Sequence, residues 1–310
     1  MGDTCKWVLE NELYLDWWGN EHDDLLWISA DPGCGKSVLS RFMVDKELLS
    51  TTQNGCYFFF KDNDDQNSLA TALSALIHQL FTGQPELIEH AVPTWKRTGD
   101  SISRETHELW QIFLAAANDS KAYNTVCVLD ALDECQERDR HQLISLPSQL
   151  YTKSSNFNSC SHWLKFFVTS RPYCDIEDQF GKILSSQPVI RLRGEHENGQ
   201  IHKEIDLVIQ RWVSELGQRK KISEQTQSRL LQKLLDLEHR TYLWLYLATK
   251  GIERRCRTGF GPDEELIISL PTSVDDAYEK ILSRVEEEDK DSVRMILLCV
   301  VGARRALSVG

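Results

Sequence analysis

An α/β fold, with a parallel sheet layered between helices and a helical subdomain after it, is what three features of this sequence predict. Apolar runs ending in polar or charged residues recur at 25–29, 125–130 and 165–170, as strands buried on both faces require. Helical periodicity alternates with these runs up to about Leu192, the pattern of βαβ units. Beyond that point the period is helical alone, which puts a domain boundary near 195–220.

Residues 1–24 lead into the first strand, 25–29, which runs into Ala30-Asp31-Pro32-Gly33-Cys34-Gly35-Lys36-Ser37-Val38. Gly33 and Gly35 allow backbone angles that bend the chain around an anion, with successive N–H groups pointing inward. The helix that opens there adds the positive end of its dipole, so residues Asp31 to Val38 are read as a phosphate-binding loop. Lys36 would reach the β- and γ-phosphates and Ser37 would ligate Mg²⁺. The full pattern has a glycine five residues before Gly35, where this sequence has Ala30. The strand before the loop and the apolar-faced helix after it supply the context that the motif needs, and together they predict a P-loop NTPase three-layer sandwich.

A second strand at 56–60 precedes a helix whose Leu69, Leu73, Leu76, Ile77 and Leu80 share one face. The third strand, Thr125 to Asp130, delivers Asp130 to a Mg²⁺-bound water, and Asp133 and Glu134 follow within one turn. Either could orient or deprotonate an attacking water, and the spacing leaves both open. The fourth strand ends in Thr169-Ser170-Arg171-Pro172. In an open α/β sheet ligands bind at the carboxyl ends of strands, so Arg171 is placed to sense a γ-phosphate. Residues 189–192 form the last strand.

In the helical part, Ile201, Ile205, Val208, Ile209, Trp212 and Leu216 keep a helix period, and 224–254 reads as two more helices. The aromatic group Tyr242-Leu243-Trp244-Leu245-Tyr246 is read as core in preference to an adenine contact, and His239 as a satisfied or exposed side chain. Ser273 and Asp276 form a capping box, with Val274, Ala277, Tyr278, Ile281, Leu282 and Val285 as the buried stripe behind it. The acidic run 286–289 is read as a solvated face.

Three stretches carry a family resemblance. Ala-Asp-Pro-Gly-Cys-Gly-Lys-Ser at 30–37, Val-Leu-Asp-Ala-Leu-Asp-Glu at 128–134 and Phe-Phe-Val-Thr-Ser-Arg-Pro at 166–172 resemble a NACHT-type NTPase of the STAND class. The segments from Thr4, from Cys56 and from Leu270 resemble fungal NLR-like proteins, including heterokaryon-incompatibility regulators. The resemblance implies a cytoplasmic ATP/ADP switch with slow hydrolysis. It also implies self-association in the ATP state and control of an effector in innate immunity or programmed cell death. It divides the chain into a lead-in (1–24), a NACHT nucleotide-binding domain (25–200), a helical subdomain (201–290) and the start of a winged-helix-like region (291–310), with effector and sensor domains outside this sequence.

Composition fits that reading. At 310 residues, 41% hydrophobic and 26% charged, the chain can bury a sizeable core. A net charge of −12 argues against nucleic acid as the principal partner. Nine scattered cysteines without a CxxC pair suggest a reducing compartment and no zinc site. No signal peptide or myristoylation pattern is read, and the longest apolar run, 295–303, is too short to span a bilayer. The sequence contains no Asn-Lys dipeptide of the kind that reads guanine, so ATP is favoured over GTP. A conventional P-loop enzyme and a nucleotide-binding scaffold without turnover remain as alternatives.

Overall fold

A computed structural model describes residues 5–48, 54–153, 162–183, 189–192, 199–237, 241–256 and 267–303. Thr4, His239 and 304–310, to which the sequence drew attention, lie outside them. The chain divides into two compact units. The first comprises Met1–Asp31 and Lys36–Leu192, the second Pro32–Gly35 and Arg193–Gly310.

The first unit is built on five parallel strands, β1 (Asp24–Ala30), β2 (Asn54–Phe59), β3 (Thr125–Asp130), β4 (Leu164–Ser170) and β5 (Val189–Leu192), in the order β2-β3-β4-β1-β5. Every residue of β1, β3 and β4 is buried. That explains why their sequences are continuous apolar runs without alternation, since helices cover both faces. On one face Leu25, Trp27, Cys127, Leu129, Phe166 and Val168 pack with α3 (Leu69–Gly83), α5 (Thr106–Ala117), α6 (Glu137–Lys153) and α7 (Cys174–Ile183). Trp27 stacks on Phe180 at 4.3 Å between ring centroids. The predicted face Leu69, Leu73, Leu76, Ile77 and Leu80 is wholly buried. On the other face lie α1 (Glu12–Gly19), whose Trp17 meets Phe167, and α2 (Lys36–Phe42), which runs on into a π-helical turn, Met43–Leu48. The short helix α4 (Val92–Thr98) connects α3 to α5.

The second unit is helical: α8 (Gly199–Lys220), α9 (Glu224–Leu235), α10 (Tyr242–Cys256), α11 (Val274–Leu282) and α12 (Lys290–Gly302). Its core holds Ile205, Ile209, Val213 and Leu216 of α8, Leu230 and Leu234 of α9, and Trp244, Ala248 and Ile252 of α10. Val213 is buried and its neighbour Trp212 half-buried. One expectation needs correction. Of the stripe on α11 only Ala277 is buried, while Tyr278, Ile281 and Leu282 are exposed. The Ser273 cap does form, accepting from the Asp276 N–H at 3.0 Å, but the Asp276 carboxylate closes back on the Thr272 N–H at 2.7 Å.

Candidate functional site

The carboxyl end of β1 is the starting point. The strand stops at Ala30, and the Asp31 N–H donates to the Leu192 carbonyl of β5 at 3.2 Å. Gly33 and Gly35 follow with φ of +80° and +84°, the left-handed region that glycine enters at no steric cost. Lys36 opens α2, and its ammonium donates to the Ala30 carbonyl at 2.7 Å, so it lies across its own loop. Ser37 and Val38 are exposed in the first turn of the helix, and Cys34 is buried.

Asp130 ends β3 with its side chain buried, 2% exposed. Its Oδ1 accepts from the Ser40 hydroxyl of α2 at 2.6 Å and from the Thr169 hydroxyl of β4 at 2.7 Å. One carboxylate oxygen thus ties together three elements, and Oδ2 takes no part in those bonds. Ser37, three residues before Ser40, is on the same side of α2. A serine hydroxyl and a carboxylate are both oxygen donors of the kind that Mg²⁺ takes.

Ala131 then adopts φ +55°, ψ +49°, unusual for a residue with a Cβ, and its N–H donates to Thr169 Oγ1 at 3.0 Å. This kink starts a 3₁₀ turn, Leu132–Glu134, in which Asp133 and Glu134 take different partners. The Asp133 side chain is only 2% exposed and both its oxygens are taken by Arg171: the backbone N–H donates to Oδ1 at 2.9 Å and Nε lies 3.1 Å from Oδ2. Tyr173 Oη lies 3.3 Å from Arg171 Nη1. Glu134 Oε2 accepts from the Asp62 N–H at 3.3 Å, just beyond β2. Burial pushes the Glu134 carboxyl above the usual glutamate range. The Asp62 N–H and Arg171 oppose that shift, while Asp133 and Asp130 add to it.

Asp62, Asp133, Glu134, Cys135, Gln136, Arg171 and Tyr173 line a cleft of about 360 Å³ at the carboxyl ends of β2, β3 and β4. The cleft thus joins Asp133, Glu134 and Arg171, while Asp130 is bonded to Ser40 and Thr169 and is not part of its lining. The structure also adds Ser40, Thr169 and Asp62, which sequence reading passed over. The first carries a signal in hindsight: it follows Ser37 at helical spacing and is a hydroxyl on an otherwise apolar face.

A family model described as Nephrocystin 3, N-terminal matches residues 3–171, and a second, Domain of unknown function (DUF7069), matches residues 201–261. The chain is 28% identical over 321 residues to the vegetative incompatibility protein HET-E-1 of Podospora anserina. That alignment covers 99% of this chain and 22% of the relative, so the chain spans less than a quarter of the relative's length. Among solved structures, the Aeropyrum pernix ORC2 protein in its ADPNP–ADP complexes superposes with a TM-score of 0.53 at 13% identity, covering 96% of this chain and 73% of that one. This last likeness is one of fold.

Proposed function

The chain belongs to the Nephrocystin 3, N-terminal family and has a P-loop NTPase fold, and on that premise we propose that it is the ATP- and ADP-binding switch domain of an NLR-like signalling protein. The observation that carries the proposal is the Asp130 junction. A buried carboxylate at the end of β3 takes hydroxyls from the helix that follows the glycine loop and from β4, which Arg171 follows. Hydrolysis is slow in this reading, and the output is self-association in the ATP state that engages an effector in immunity or cell death.

The loop residues Asp31 to Val38 bind the nucleotide phosphates, with Lys36 as the charged donor and the glycine N–H groups as the neutral ones. Ser37 and Asp130 would hold Mg²⁺, which when bound would supply positive charge to the phosphates. Of the two open candidates for the water-orienting group, Glu134 is favoured. Both line the cleft, but Asp133 is spent on Arg171, whereas Glu134 has a carboxyl already inclined to take a proton. Asp133 then serves to aim the Arg171 guanidinium, which discriminates ATP from ADP.

Single-turnover hydrolysis by Glu134→Gln and Asp133→Asn tests the division of labour. Glu134→Gln should bind ATP normally and hydrolyse it at least about tenfold more slowly, within the range that a positioned base contributes. Asp133→Asn should instead weaken the preference for ATP over ADP. The reverse assignment of effects would move the base to Asp133.

A further inference from the structure

Pro32–Gly35 group with the helical unit, although the chain on either side belongs to the sheet unit. The start of α10 is the reason. A Cβ placed on Gly33 would sit 2.8 Å from the Leu243 Cβ, and one on Gly35 would sit 2.7 and 2.8 Å from two ring carbons of Tyr242. Both positions therefore exclude a side chain twice over, by the positive φ and by this close approach. The Leu243 N–H faces the Gly33 carbonyl at 3.4 Å.

Tyr242 is itself fixed. Its hydroxyl donates to Glu204 Oε2 of α8 at 2.8 Å, and Glu204 is buried. Thr241 caps the helix by accepting from the Trp244 N–H at 3.1 Å. Trp244 is buried and donates its indole N–H to the Pro271 carbonyl at 2.8 Å. The tyrosine thus lays its ring on Gly35 while its hydroxyl is moored to a different helix.

We propose that Tyr242 is a strap on the glycine loop that slows the release of a bound nucleoside diphosphate or triphosphate. The proposal rests on the nucleotide reading of that loop. Glycine has more backbone freedom to lose than any other residue, and a loop that holds phosphate must keep its N–H groups aimed inward. A ring packed on Gly35 and anchored to α8 removes that freedom in advance. Relaxing the loop to let phosphate go means lifting the ring and breaking the bond to Glu204. Such preorganisation acts chiefly on the dissociation rate. Tyr242 carries no proton or charge in the chemistry.

The test is stopped-flow release of a fluorescent ADP from the whole chain, chased with excess unlabelled ADP, for the wild type, Tyr242→Phe and Tyr242→Ala. Tyr242→Phe keeps the ring and loses the mooring, and it should release about two- to tenfold faster, the range that one neutral hydrogen bond spans. Tyr242→Ala should release faster still, with the association rate changed less than the dissociation rate. If the alanine variant does not fold, the phenylalanine variant decides alone. Wild-type release rates in the variants, or slower ones, overturn the strap while leaving the loop's nucleotide function standing. Failure of the wild-type chain to bind the labelled ADP at all overturns both.

Discussion

Asp133 and Glu134 are adjacent in sequence and opposite in circumstance. Both line the cleft, but the first is closed off by two contacts from Arg171, while the second has its carboxyl held above its ordinary range by burial. If Glu134 is the base it must be ionised, so turnover should rise with pH on an acid limb displaced above that of an ordinary glutamate, and Glu134→Gln should lack that limb. Stability runs the other way. The folded chain holds the Glu134 proton more tightly than the unfolded chain, so this group's contribution is complete below the ordinary glutamate value and is lost as pH rises through the raised one. Denaturant titrations across that window should show Glu134→Gln gaining on the wild type as pH increases. A constant difference would contradict the burial argument. Ala131 offers a separate test. At φ +55° an alanine pays for its Cβ, so Ala131→Gly should stabilise the fold by up to about 1 kcal/mol in thermal unfolding, net of the entropy that glycine adds to the unfolded chain. The constellation was legible because its members stand at, or within a few residues after, the ends of apolar runs. The division of roles was not, because it depends on Arg171, brought to Asp133 only by the pairing of β3 with β4.

Lys165 shows the same limit for a whole element. In sequence it is a charged residue opening an apolar run. In the structure it is fully buried, and its ammonium donates to the carbonyls of Trp17, Trp18 and Asn20 at 2.7, 3.0 and 2.6 Å while lying 4.4 Å from the Trp163 ring centroid. It thereby satisfies carbonyls at the end of α1 that have no partner within the helix. Burial lowers its pKa to about 8, which leaves it largely charged at neutral pH. Its contribution to stability is full above the ordinary lysine range and falls as pH drops toward 8. Lys165→Met should cost about 2–4 kcal/mol, since it strands several buried carbonyls, and amide exchange should show α1 opening first. Unchanged protection of Glu12–Gly19 would refute that anchoring role. The strands and α3 were readable from burial on both faces and from a 3.6-residue period. The stripe on α11 was misread because a period reports an amphipathic helix and not what covers it: Ile281, Leu282 and the α12 residues Leu297, Leu298 and Val301 are exposed among the described residues.

At the scale of the whole molecule, the glycine loop is the one place where the chain of the sheet unit passes briefly into the helical unit and back. Light scattering should then find a larger species with a non-hydrolysable ATP analogue than with ADP. A single size in both states would leave a nucleotide-binding module without the proposed output. Within unit one the order β2-β3-β4-β1-β5 sets β4 between the loop strand and the Asp130 strand, which is how Thr169 and Arg171 enter the site. In the proposed function, Ala30-Asp31-Pro32-Gly33-Cys34-Gly35-Lys36-Ser37 works as a phosphate loop despite the alanine at its first position. Calorimetric titration of the chain and of Lys36→Ala with ADP and with an ATP analogue plus Mg²⁺ tests it most directly. The wild type should show saturable one-to-one binding and Lys36→Ala should lose it; no heat from the wild type, or equal affinity in both proteins, would rule out a phosphate loop here.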